Sequence, residues 1–500
     1  MKDLDPLELA RLLTGRREDG PDAARLTRAD RGLLVRALPA WPFVLSFAGF
    51  LAAWALGIGD LIWPVAALLM VFSWAGATNL SLPPATALWG LFLLWATASL
   101  VMNDTAGRLI GALYRVVLYA SAGVIYVHLH NARRRIPIRV VTSAMTWFLL
   151  SVTAGGFLGM AFPSLVLRTP MSWVVPGALA SNDLVHDMVF RRTAQWNPEA
   201  WNQVAPRPSA PFLYANQWGN VYSLVLPLAV LNIVYARTLA RRVATALVVL
   251  ASFVPAAATQ NRGMAIGLLV VLAWTGVQAL RRGRAAPVIA GAAVLVLAAL
   301  AWVVSPASEA FFHRLEASPS TTDRYELYRL TIESVLQSPL LGWGSPRPAG
   351  SAWLPSVGTQ GQLWLLMQSH GFVGLGLFLA FFLVLAVRAA RRTDACGAVA
   401  GGVIAATLVE TVYYGMTSGL AVSMVAAALV ARPEEELTRS HGPAPAPPGS
   451  RPPARTRAEE RIERARGRTR RAAGEPLVRG GGRRSAALRG SGGDEGDRRP

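Results

Sequence analysis

Twelve apolar runs joined by short arginine-rich connectors constrain this chain more than any other feature. Most approach the ~20 residues that a helix needs to cross a ~30 Å hydrocarbon layer. A membrane barrel would instead show segments of about 10 residues in strict alternation, and none occur. The hydrophobic share is 53%, charged residues make up 16%, and mean hydropathy is +0.37. The expected fold is therefore an all-α polytopic membrane protein of about 12 transmembrane helices. They are expected at 41–57, 60–77, 85–101, 107–127, 138–162, 213–235, 243–259, 263–280, 286–304, 362–387, 395–413 and 416–431.

The connectors test that count. Cytoplasmic loops carry an excess of Lys and Arg. With the N-terminus placed inside, alternation puts the basic connectors 128–139, 237–242, 281–284 and 388–392 on the cytoplasmic side, together with the C-terminal tail. The two long polar segments, about 163–212 and 305–360, and the corner at Arg262 then fall outside. One span more or fewer in the middle would put half the arginine clusters on the wrong side. The expectation is a multi-pass plasma-membrane protein with both termini cytoplasmic.

Three regions follow: a polar cytoplasmic arm at 1–40, a membrane domain at 41–431, and a Pro/Gly/Arg-rich tail at 432–500 with too few apolar residues to fold. The arm does not read as a cleavable signal peptide, because about forty polar residues precede the first apolar run. The formal charge of +20 sits at span ends and in the tail. That is the pattern of contact with membrane lipid rather than of a folded basic domain for nucleic acid. One cysteine, Cys396, excludes an intramolecular disulfide, and no Cys/His metal spacing occurs.

Chemistry is concentrated in the outer segments. Arg262 follows the tight corner Thr259-Gln260-Asn261, and Gly263 after it is expected to leave the guanidinium an open approach to a ligand. Thr322 to Leu336 reads as an amphipathic helix near 323–337, capped by Thr321 or Thr322, with Tyr325, Tyr328, Ile332 and Val335 as its apolar stripe. It would hold Arg324 and Arg329 over the outer leaflet, where planar guanidinium groups suit phosphate or pyrophosphate. Pro339, Gly342 and Gly344 end it in a tight turn. Between Pro163 and Pro211 the polar candidates are Asp183, His186, Asp187, Arg191, Arg192 and Arg207. Glu410 is an intramembrane carboxylate that could pair with an arginine, and a lone histidine such as His370 is more often structural than catalytic.

Four segments together resemble the O-antigen ligase/polymerase family of bacterial membrane proteins. They are RPSAPFLYANQWGNVYSLVLPLAV (207–230), TQNRGMAIGLL around Arg262, DRYELYRLTIESVLQSPLLGWG (323–344) and GTQGQLWLLMQSHGFVGLGLF (358–378). The resemblance covers 207–387 and rests on order and spacing. It implies a glycan transferase that moves a saccharide from a polyprenyl-pyrophosphate carrier to an acceptor hydroxyl, a glycan or lipid-glycan, on the outer face. The product would serve cell-surface polysaccharide biosynthesis, with neither cofactor nor metal. By the same resemblance Arg262 and Arg324 would bind the pyrophosphate, with Asn216, Arg329, Gly342 and Gly344 as further substrate-binding positions. Fixed guanidinium groups would stabilise the leaving pyrophosphate.

The sequence departs from the family at one position that matters. Counting back from Gly371, the family's His-Asn pair falls on Gln360 and Gly361. A glutamine orients a hydroxyl or a phosphate oxygen but takes no proton. Three readings follow: another group (Asp323, Glu326, His186 or His370) is the base; transfer relies on leaving-group stabilisation; or the chain is an inactive relative. Two readings from other classes stand beside the transferase. One is a twelve-span secondary transporter or lipid-linked-glycan flippase, for which Glu410 and Arg115 are the intramembrane charges. The other is a scaffold acting through the basic tail.

Overall fold

A computed structural model describes residues 38–75, 80–177, 183–196, 205–286, 291, 320–350 and 354–433. For 183, 184 and 320–324 it describes the backbone alone. The arm up to residue 37, nearly all of the expected span at 286–304 and the tail from 434 lie outside the described residues.

The first expected span is two helices, α1 (Trp41–Ala48) and α2 (Phe50–Leu56), separated at Gly49. Next come α3 (Ile62–Trp74), α4 (Thr86–Ala98), α5 (Ala106–Asn131) and α6 (Ile138–Ala161). The short α7 (Asp183–Val189) lies in the first long polar segment. Then follow α8 (Ala215–Tyr235), α9 (Leu239–Ala258), α10 (Arg262–Arg281), α11 (Ser320–Leu336), α12 (Gln362–Ala390), α13 (Ala395–Glu410) and α14 (Ser418–Ala431).

Six of these, α5, α6, α8, α9, α10 and α12, are long and apolar enough to cross a membrane. The apolar helices at 59–74, 86–102, 395–410 and 418–431 are shorter. At 1.5 Å per residue, a 14-residue helix such as α14 is only about 21 Å long. It does not need to meet lipid, because every residue from Ser418 to Ala431 is buried among the other helices. The protein is thus a polytopic membrane protein in which six long helices and several shorter apolar ones pack as one body. Leu68, Phe72, Leu94, Leu247 and Leu250 are all more than half exposed, which suits helix faces solvated by lipid.

The core gathers aromatic side chains in two clusters. Phe47, Phe50, Trp63 and Phe148 pack at ring separations of 5.0–6.1 Å. Trp89, Phe378, Phe381 and Phe382 pack likewise at 4.9–6.3 Å. Without a hydrophobic drive between helices in lipid, close packing and small residues hold the bundle. A Cβ at Gly155 of α6 would lie 2.6 Å from the Ala210 carbonyl oxygen, and one at Gly159 would lie 2.4 Å from that of Thr193. These glycines let the first polar segment settle onto the helix.

That segment, expected to be irregular, holds two small antiparallel ladders. β1 (Val166–Arg168) pairs with β2 (Phe190–Arg192), and β3 (Ala194–Gln195) pairs with β4 (Arg207–Pro208). The all-α expectation is corrected to this extent. A chain that returns on itself over helix ends satisfies its backbone groups by pairing across the fold.

The arginine connectors meet at one end of the bundle. Arg282 donates to the Arg392 carbonyl (2.9 Å), Arg392 donates to those of Val430 (3.2 Å) and Arg432, and Arg432 donates to those of Ile136 (2.9 Å) and Leu129 (2.7 Å). A cavity of about 440 Å3 lined by Arg388, Arg391, Arg392 and Arg432 lies at this end. The loops expected outside meet one another separately. Arg108 reaches the carbonyls of Ser345 and Pro346, each at 3.2 Å, and Arg191 pairs with Asp60 at 2.6 Å.

Candidate functional site

The turn after α11 is the structural centre of the loop end. Gly371 breaks α12 with φ +65° and ψ −170°, which frees carbonyls within the helix. The turn at Pro339–Gly344 fills the break. Trp343 and Gly344 donate their N–H groups to the Gln368 and Ser369 carbonyls (2.8 and 2.9 Å), and Phe372 donates to Pro339 (2.8 Å). Trp95 of α4 donates from Nε1 to the carbonyls of Leu340 and His370, both at 3.1 Å. Gly342 has φ +66°, and a Cβ there would sit 2.6 Å from the Gly371 nitrogen; Gly344 has φ +71° and lies against Asn103. The structure therefore gives both glycines a packing role in the embedded turn.

The adjoining loop is latched to the start of α5. Asp104 pairs with Arg108 and, at 3.6 Å, with Arg347. Arg347 lies 3.5 Å over the Trp343 ring, a cation–π arrangement. Ser345 donates to Asn103 Oδ1 at 2.7 Å.

α11 begins at Ser320, so Thr321 and Thr322 lie inside the helix and neither is its cap. Its buried stripe is Leu327, Thr331 and Val335, not the expected Tyr325, Tyr328, Ile332 and Val335. Tyr325 is 71% exposed and Ile332 44%, while Tyr328 stacks on Trp364 at 4.2 Å. The stripe follows the partner available: Gly358 donates to Thr331 Oγ1, and Gln368 donates to Ser334 Oγ. Arg329 is exposed and bridges Glu326 (2.6 Å) and Glu333 (2.5 Å) on its own helix. The side-chain hydrogen bond and charge of Glu326 push the Arg329 pKa up, and the same hydrogen bond holds the Glu326 carboxyl below its ordinary value. The side chains of Asp323 and Arg324 lie outside the described residues.

Arg262 is the first residue of α10 and is exposed. The corner before it is held by Arg207, whose Nε donates to the Thr259 carbonyl (2.7 Å) and whose Nη2 donates to Asn261 Oδ1 (2.6 Å) and Asn216 Oδ1 (3.4 Å). Asn216 is thus a member of this corner. The expected open approach beside Gly263 is corrected. A Cβ there would meet the Tyr413 ring at 2.5 Å and the Tyr414 ring at 2.8 Å, so the missing side chain makes room for two tyrosines. Tyr413 also donates to the Gly263 carbonyl at 3.1 Å.

Glu410 is fully buried and accepts from Asn220 Nδ2 at 2.6 Å. No arginine pairs with it among the described residues, contrary to the sequence expectation. His370 is 2% exposed, with its ring edge-on to Phe92 (6.1 Å) and Tyr119 (6.2 Å). His186 is about half exposed and stacks on Phe190 at 4.6 Å. Gln360 is partly buried and donates to Thr359 Oγ1 at 3.2 Å.

Two residues further on, Gln362 turns inward, which sequence reasoning missed. It is 1% exposed, donates from Nε2 to the Tyr119 hydroxyl (2.9 Å) and accepts at Oε1 from the Met416 N–H (3.0 Å). The first N–H groups of α12 have no partner within the helix. Gln362 and Leu363 donate theirs to the Tyr414 and Thr411 carbonyls (2.7 and 2.8 Å). The 411–417 loop therefore ties the start of α12 to the Arg262 end of α10.

Beside this junction lies a cavity of about 170 Å3, lined among others by Asp60, Gly111, Tyr114, Arg115, Tyr119, Gln217, Gln362 and Thr417. Arg115 is partly buried. The signal for it in the sequence is a charged residue inside an apolar run. Tyr119, Gln217 and Thr417 carry no signal of that kind.

Comparison with known proteins gives one match and one blank. Residues 246–370 match a family model described as O-Antigen ligase. That segment begins in α9, takes in α10, α11 and the embedded turn, and ends at the break in α12. No curated protein matches the chain.

Proposed function

We propose, from the O-antigen ligase family domain at residues 246–370, that this membrane protein is a glycan ligase or polymerase. It transfers a saccharide from a polyprenyl-pyrophosphate carrier to the hydroxyl of a glycan or lipid-glycan. The reaction takes place on the outer face, at the end of the bundle away from the arginine connectors, with both termini in the cytoplasm. The observation that carries this reading is the family domain itself. Within the matched segment, the starts of α10 and α12 are tied together by the 411–417 loop, with the exposed Arg262 guanidinium at the corner.

Arg262 and Arg324 grip the pyrophosphate and stabilise the charge that grows as it leaves. Such preorganised electrostatics is often the largest catalytic contribution. Leaving-group stabilisation carries more of the reaction here than proton removal does. Gln360 takes no proton, and His370 is enclosed by aromatic rings. Arg329, engaged by two glutamates, holds its own helix and adds little to the grip. The transporter reading has less support, since the Glu410 carboxyl is engaged by Asn220 and abuts Gly267.

Complementation tests the reading. Arg262→Ala and Arg324→Ala are expected to abolish surface glycan transfer at unchanged protein level and membrane insertion. Full activity in both would remove the assignment.

A further inference from the structure

The cavity at the start of α12 presents hydrogen-bond donors. Gln362 donates to the Tyr119 hydroxyl, so that oxygen accepts and its own hydrogen is left to donate. Gln217 donates to Thr417 Oγ1 at 2.9 Å, which sets the threonine hydroxyl in the same way. Arg115 adds a guanidinium, which donates and never accepts. No hydrogen bond or ion pair engages that guanidinium among the described residues.

The charges point the same way. Asp60, the carboxylate in the lining, is matched by Arg191, which leaves the cavity one net positive charge. Arg115 lies nine residues into α5, about 14 Å along the helix at 1.5 Å per residue. A charge at such a depth is costly without a partner. The lining also keeps space open: a Cβ at Gly111, one turn before Arg115, would meet nothing within 4 Å. A volume of about 170 Å3 is many times the ~10–15 Å3 that one water needs on the same measure and accommodates a phosphate or diphosphate.

We propose that this cavity is an oxyanion site in which Arg115, with the Tyr119 and Thr417 hydroxyls, binds a phosphate of the lipid-linked donor. Arg115, Tyr119 and Thr417 lie outside the matched family segment, which contributes Gln362 and Leu365 to the lining, and the proposal rests on the transferase reading for the identity of its ligand. It gives the donor a second anchor beyond Arg262 and Arg324.

Binding to the full-length protein in detergent tests this without any turnover, so the result stands even if no saccharide is transferred. The probes are undecaprenyl pyrophosphate, inorganic pyrophosphate and phosphatidylglycerol, read by thermal shift and titration. Wild type is expected to bind undecaprenyl pyrophosphate most tightly. Arg115→Met is expected to lose at least tenfold in affinity while the unliganded protein melts no lower, because it removes a charge that only the ligand compensates. Gly111→Leu puts bulk into open space on a helix that tolerates it and should block the probe with the fold intact. Wild-type affinity in both variants would overturn the site. Equal protection by phosphatidylglycerol or inorganic pyrophosphate would overturn its assignment to the donor.

Discussion

Single residues set the geometry of the loop end, and glycines do so through backbone shape. Gly371 holds φ +65°, and a Cβ there would lie 2.2 Å from the Leu340 carbonyl oxygen; Gly342 faces the same contact from the other side. A non-glycine residue held in such a conformation costs on the order of 1–3 kcal/mol, and the contact adds to it. Gly371→Ala and Gly342→Ala should each lower the melting temperature in detergent. Gly376→Ala, where a Cβ meets nothing within 4 Å, should not. At this scale the sequence was partly legible. A Pro-Gly-Gly turn was visible at 339–344, but its docking site was not, because the partner carbonyls at 368–370 become available only when α12 breaks. Gly263 was misread for a similar reason, since the tyrosines that fill its space lie about 150 residues away.

Among elements, α11 shows how a charged surface helix is held. Its inner stripe packs on α12, while Glu326, Arg329 and Glu333 bridge one another on the outside. The folded Glu326 pKa is lowered by Arg329. Its contribution is therefore present above the ordinary glutamate range of about 4.3 and is lost as pH falls through the lowered value. Proteolysis within 320–336 should quicken modestly below about pH 4, and Glu326→Gln combined with Glu333→Gln should remove most of that dependence. The existence of this helix was legible from its period, and its facing was not. Tyr325 and Ile332 satisfy the period but look outward, because Gly358 and Ser334 contacts fix the rotation. The helix limits around 138–161, 215–235 and 262–281 were legible to within a few residues, since apolar run length and flanking arginines decide them directly. The ladders at 166–168 and 190–192 were not, because their strands are three residues long and are paired by the helix ends beneath them.

For the whole molecule, the arginine pattern and the architecture agree. Connectors that alternation assigns to one side meet through Arg282, Arg392 and Arg432, while the starts of α10 and α12 are tied together by the 411–417 loop. Arginine clustering was enough to group the connectors around 128–139, 281–284 and 388–392, which the fold brings together. It was not enough to find the cavity, whose walls come from α5, α8, α12 and the 411–417 loop, far apart in the chain. The central claim is that a lipid-linked pyrophosphate donor is used at the loop end of this bundle. The most direct measurement is transfer by the purified protein in liposomes given a polyprenyl-pyrophosphate saccharide and an acceptor glycan, comparing wild type with Arg262→Ala. The account predicts that wild type releases polyprenyl pyrophosphate and lengthens or modifies the acceptor, and that the variant does neither. Equal transfer by both proteins would contradict it.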